Sequence, residues 1–97
     1  MKYEFHPEAL EEYQQAALWY SQREPQVALQ FVGTIEEGIR RVVEAPTRWR
    51  IVEDDIRRCL TRVFPYAILY TIEKDYVLIV AVMHCSRKPG YWKHRRS

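Results

Sequence analysis

Along this chain the apolar positions change their spacing once, near Pro46, and the change separates a helical half from a stranded half. Tyr3 and Phe5 alternate with Lys2 and Glu4, which predicts a short first strand ending at His6-Pro7. Pro7 suits the first position of a helix and His6 reads as the residue that leads into it. Glu8, Glu11 and Glu12 place negative charge at the positive end of the helix dipole. Leu10, Tyr13, Ala17 and Tyr20 then fall on one apolar stripe that carries the helix to about Arg23. Pro25 opens a second helix after a connection so short that the two helices must lie antiparallel. Its wide stripe runs through Ala28, Phe31, Val32, Ile35, Ile39, Val42 and Val43, with Glu36, Glu37, Arg40 and Arg41 opposite, and Pro46 ends it.

Beyond Pro46 the period is two. Residues 49–53, 57–63, 66–73 and 77–85 read as strands, with Asp54-Asp55 and Lys74-Asp75 as tight turns that force antiparallel neighbours. Tyr66, Ile68, Tyr70 and Ile72 point one way, and Ala67, Leu69 and Thr71 the other. The last strand is apolar on both faces, with Val77, Ile79, Ala81 and Met83 on one and Leu78, Val80 and Val82 on the other. It is therefore expected to be central and covered on both sides. The helical hairpin supplies one cover; the other must come from the C-terminal tail with Tyr91 and Trp92, or from a second chain. The expected fold is α+β: an N-terminal strand and an antiparallel two-helix hairpin packed on a mainly antiparallel sheet of about four strands.

The 97 residues form one expected domain, 1–97, and the composition of 47% hydrophobic against 29% charged is that of a folded chain. A domain of this size buries roughly 65% of its unfolded surface, enough for one core but not for a large cofactor cavity as well. Cys59 and Cys85 form neither a CxxC pair nor a His/Cys cluster at zinc spacing, so no metal is expected. Gly33 and Gly38 lie inside the second helix and Gly90 stands alone, so no phosphate loop and no nucleotide cofactor is indicated. The N-terminus lacks a signal-peptide core, and the apolar run 77–85 is interrupted by His84 and far shorter than the roughly 18 residues of a membrane span. A soluble cytoplasmic protein with reduced thiols is the expectation.

The net charge of +2 hides two halves of opposite sign. Up to Pro46 four basic residues face eight acids, net −4; from Thr47 on eleven face five, net +6. Such a basic half attracts nucleic acid or an acidic protein segment, unless its Arg and Lys are simply scattered over the surface.

Two strings in the basic half carry a family resemblance. Arg58-x3-Arg62-x-Phe64-Pro65-Tyr66-x-Ile68-x-Tyr70 is followed by Ala81-Val82-x-His84-x2-Arg87-x-Pro89-x-Tyr91-Trp92. With the element order, they make nearly the whole chain resemble the RelE/ParE superfamily of toxins from type II toxin–antitoxin systems, on its ParE-like, plasmid-stabilisation branch. The resemblance implies growth arrest, neutralisation by a cognate antitoxin, and the capacity to join a higher-order toxin–antitoxin assembly. ParE-like members are poisons of DNA gyrase without nuclease chemistry, whereas RelE-like members enter the ribosome and cut messenger RNA. The leading expectation is the gyrase poison, not itself an enzyme; the alternative is a ribosome-dependent mRNA endoribonuclease. A toxin-like remnant without toxicity is the third reading.

Arg58 and Arg62 are expected on one face of a strand, with Arg87 just past the last strand. Together they would cradle a phosphate through paired guanidinium hydrogen bonds, or clasp acidic residues of an antitoxin. RNA cleavage through the ribose 2′-hydroxyl needs a phosphate clamp and an acid/base, for which Arg58, Arg62, Arg87 and Tyr91 are the candidates. Two departures from the RelE-like pattern oppose it: Ala67 stands where a basic side chain follows the equivalent of Tyr66, and Tyr91 follows Arg87 too closely. A shifted tail would bring in Tyr91 or His94. As contact residues for a target or antitoxin the candidates are Arg58, Arg62, Arg87, Tyr91, Trp92 and Arg95, with Arg96 beside them. His84 reads as structural, its ring bonding a backbone carbonyl or packing on Trp92. Strand alternation points it away from Cys85, so no Cys–His dyad is expected.

Overall fold

Local chemistry starts and stops each helix. The backbone of His6 is extended and its Nδ1 accepts from the Glu8 N–H at 3.1 Å, so a histidine caps α1 (Pro7–Arg23) with proline in the first turn. Glu24 alone separates α1 from α2 (Pro25–Glu44), its N–H closing α1 on the Tyr20 carbonyl before Pro25 opens the next helix. The computed structural model describes residues 1–96, the Arg96 side chain excepted, so the contact expected of Arg96 lies outside the described residues.

The strands are β1 (Lys2–Phe5), β2 (Ile51–Glu53), β3 (Ile56–Leu60), β4 (Tyr66–Ile72) and β5 (Tyr76–His84), and a 3-10 turn over Lys93–Arg96 closes the chain. They form one five-stranded sheet in the order β1-β5-β4-β3-β2. β1 runs parallel to β5, and the other pairs are antiparallel. The N-terminal strand thus joins the four strands of the second half.

α2 buries Ala28, Phe31, Ile35, Ile39 and Val42, the stripe its sequence predicts. α1 follows its stripe at Tyr13, Ala17 and Tyr20 but not at Leu10. Ala9 and Tyr13 are buried, while Leu10 is 38% exposed. Ala9 enters the core in place of Leu10, and Glu12, on the other flank of the helix, bonds to β5 and the tail. β3 also departs from expectation, stopping at Leu60 rather than running to Val63. There Thr61 Oγ1 donates to the carbonyls of Phe64 and Tyr66, and Val63 takes a φ of +72°, which turns the chain into a tight loop. Trp49 precedes β2 instead of lying in it.

On β4 the faces alternate as the sequence predicts. On β5 they do not, because Leu69 pairs with Ala81 and Tyr70 with Ile79, which leaves Val80 as an extra residue in a β-bulge. Val77, Ile79 and Val82 therefore face the helices with Phe31, Ile35, Ile68 and Tyr70. Val80, Ala81 and Met83 face the other way with Ile56, Ala67, Leu69 and Trp92. Both faces of the sheet are covered by this one chain. Cys59 is buried, Cys85 exposed, and both are free thiols. Among the described residues no helix is long and apolar enough to cross a membrane.

The tail turns back under the sheet at Gly90, whose φ of +97° is a conformation L side chains rarely adopt. Gly90→Ala should cost about 1 kcal/mol and Trp92→Ala about 3 kcal/mol in urea unfolding. An equal, small effect of both would mean that the tail does not form the second core layer.

Candidate functional site

β1 is four residues long and β5 nine, so the pairing on that edge of β5 runs out. Its last bond is from the His6 N–H to the Ile79 carbonyl at 2.9 Å. Beyond it, side chains take the place of a strand. Arg95 Nη1 donates to the Val80 carbonyl at 3.2 Å, and the Val82 N–H donates to Glu12 Oε1 at 3.0 Å. Arg95 Nη1 and Glu12 Oε1 are themselves 3.0 Å apart, with side chains only 8% and 13% exposed. The other Glu12 oxygen accepts from Arg87 Nη1 at 3.2 Å and from the Tyr91 hydroxyl. One carboxylate thus ties α1, β5 and the tail together.

Around this centre the Arg87 guanidinium stacks 3.6 Å from the Tyr91 ring centroid, with Arg95 at 5.1 Å. Burial first, and then the bond to Glu12, raise the Tyr91 phenol well above its ordinary range, so its proton stays on the oxygen and is directed at Glu12. One turn earlier on α1, Glu8 lies 3.0 Å from His94 Nε2. The hydrogen bond from His94 holds the Glu8 carboxyl below its usual range.

Of the sequence-predicted residues, Arg87, Tyr91 and Arg95 meet at Glu12, with His94 beside them. Arg58 and Trp92 line a different groove on the opposite face of the sheet, together with Arg50, Leu69 and Met83. Arg62 lies in a third place, beside α2, because the chain leaves β3 before reaching it. The expected cradle of Arg58, Arg62 and Arg87 is therefore not assembled: Arg62 is off the strand, and Arg87 is held by α1. His84 packs on Tyr66, with ring centroids 5.1 Å apart, rather than on Trp92, and its Nδ1 accepts from the Ser86 N–H instead of its ring bonding a carbonyl. The bulge in β5 is the reason, since it moves His84 to the helical face. Among the described residues no group of three or more His, Cys, Asp and Glu side chains could hold a metal ion.

In the sequence Glu12 stands out only as a helix-dipole charge. Its partners stand 70 to 83 positions away, so no local pattern reveals them. The one available signal is the misfit of Leu10, an apolar residue turned to water on the flank opposite Glu12.

Glu12→Gln leaves the buried Arg95 guanidinium with only the more distant Glu8, 3.9 Å from its Nε, as counter-charge and should cost about 3 kcal/mol of stability in denaturant unfolding. A loss below about 0.5 kcal/mol would mean that the pair behaves as a surface ion pair. For Glu8 the folded pKa lies below the unfolded one. Its contribution is present above the ordinary carboxylate pKa of about 4.3 and is lost as the pH falls through the folded value. Glu8→Gln should accordingly flatten the acid limb of the stability profile and leave the neutral region nearly unchanged.

Comparison with known proteins bears on the whole of this framework. A solved structure described as the chromosomal ParDE TA system from P. aeruginosa is similar, with a TM-score of 0.74 at 16% identity over 87% of this chain and 95% of that chain. At that identity the likeness is one of fold. No curated protein matches. The family model for the ParE toxin of type II toxin-antitoxin systems, parDE, matches residues 3–89, from β1 through the loop after β5. With that match over most of its length, the chain belongs to the ParE toxin family of type II toxin–antitoxin systems.

Proposed function

We propose that this toxin arrests growth by protein contact with DNA gyrase in the cytoplasm, cleaves no RNA itself, and is neutralised by a cognate antitoxin. The observation that carries the reading is the state of Tyr91. A ribonuclease would need its acid/base and phosphate clamp free to meet RNA. Here the Tyr91 hydroxyl, Arg87 and Arg95 all converge on one carboxylate of the same chain. Arg58 and Arg62, by contrast, stand outside this cluster on separate surfaces. The hydrogen bond from Arg40 lowers the Glu37 carboxyl, and Arg62 is near enough for its charge to help. Arginines spread over a small molecule suit recognition of an acidic partner that wraps around it.

The family match ends at residue 89, so the roles given to Tyr91, Trp92 and Arg95 rest on this chain's own geometry. Arg87 is half committed to Glu12, which makes Arg58 the cleaner probe of antitoxin contact. Arg58→Glu should weaken the toxin–antitoxin complex about tenfold in a titration at moderate salt, with folding unchanged. Unchanged affinity would remove Arg58 from the interface.

The reaction class is tested by pulse labelling of nascent DNA and protein within minutes of induced expression in cells lacking the antitoxin. DNA synthesis should stop first, and Tyr91→Phe should remain toxic, since contact needs no proton from the phenol. Collapse of translation first, with toxicity lost in Tyr91→Phe, would establish the ribonuclease instead.

A further inference from the structure

The outer face of α2 carries a groove of about 480 Å³ that the contacts around Glu12 do not use. Its walls are Arg41, Gly33 and Glu37 of α2 and Arg62, Val63 and Phe64 of the loop between β3 and β4. Three independent features meet here.

The first is Arg41. Its side chain is only 17% exposed, and its Nε and Nη2 are buried without a hydrogen-bond partner among the described residues. The nearest carboxylate, Glu37 Oε1, is 3.9 Å from Nε and is already bonded to Arg40 at 2.6 Å. The Trp49 ring, 5.9 Å from the guanidinium carbon, supplies only a distant π face, and a buried guanidinium so poorly neutralised is destabilising unless a further anion approaches it. The second is Val63. It is 93% exposed at a φ of +72°, a backbone region unfavourable for a β-branched side chain, and its isopropyl group stands in water. The third is Gly33. It sits inside a helix, where glycine is a poor choice, and an added Cβ would meet nothing within 4 Å. No packing within the chain requires glycine there; what its smallness provides is an open groove floor. One turn before it Leu29 is 72% exposed, and across the groove Arg62 adds a second positive charge.

We propose that this groove docks a segment of a protein partner that sets a carboxylate side chain between Arg41 and Arg62 and an apolar side chain on Val63 and Phe64. Charge complementarity selects the carboxylate: two guanidinium groups face one acid, and that acid is engaged by Arg40. The exposed valine, phenylalanine edge and leucine select an apolar neighbour, which a phosphate or nucleic acid does not offer. The proposal rests on the reading that the chain works by protein contact, and its test is read without growth arrest or gyrase, so the two fail separately.

The test is an amide and arginine-side-chain NMR titration of the full chain with a short amidated helical peptide built from leucine, alanine and glutamate. The same peptide with glutamine for glutamate, and inorganic phosphate, serve as comparisons. The glutamate peptide should shift the signals of Gly33, Arg41, Val63 and Phe64, and the glutamine peptide should bind about tenfold more weakly. Gly33→Leu, which improves helix propensity and fills the floor, should fold and lose the peptide. Arg41→Met should lose it too while raising the unfolding midpoint of the free chain. Equal binding of the two peptides, shifts elsewhere only, equally tight binding of phosphate, or a lowered midpoint in Arg41→Met would each overturn the proposal.

Discussion

The structure depends on a carboxylate and a guanidinium that stand in for a missing length of β-strand. β1 stops at Phe5, and the exposed edge of β5 would otherwise present the Val80 carbonyl and the Val82 N–H to no partner. Arg95 and Glu12 satisfy both and neutralise each other at 3.0 Å. An ion pair this buried contributes little by its Coulomb energy alone, since desolvation offsets most of it. Its value lies in the hydrogen bonds to backbone that nothing else would satisfy, because an orphaned buried group costs more than a bond gains.

The rest of the architecture follows from that knot. Glu12 ties α1 to β5 and the tail. Arg95 holds the tail against the sheet, which seats Trp92 on Leu69, Val80 and Met83 and completes a second core layer without a second chain. Arg87 and Tyr91 are drawn to the same carboxylate, so the groups most able to do acid/base chemistry are engaged in holding the tail. Arg58 and Arg62 lie elsewhere, on the tail-side groove and beside α2.

Much of this was legible in the sequence. Pro7, Pro25 and Pro46 mark the helix boundaries, the alternation of Tyr66 through Ile72 assigns both faces of β4, and the two-sided apolarity of β5 requires a cover on each side. The strings around Arg58 and His84 place the chain in its family. What escaped was non-local. The bulge at Val80 is a matter of register against β4, and a single extra residue reverses the faces of everything after it, His84 included. The separation of Arg58 from Arg62 turns on the end of β3 at Leu60 and the Thr61 hydroxyl that holds the following loop, which the alternation of side chains does not mark. The role of Glu12 is invisible because every partner lies at the far end of the chain.

The most direct measurement of the account is amide hydrogen exchange at Val82. Its N–H has no strand opposite it, and Glu12 alone holds it. The account predicts exchange as slow as that of the β4–β5 ladder around Ile68 and Leu69, at the global unfolding limit. Exchange as fast as at the exposed Lys88 would show the edge open, and with it the tie between α1, β5 and the tail.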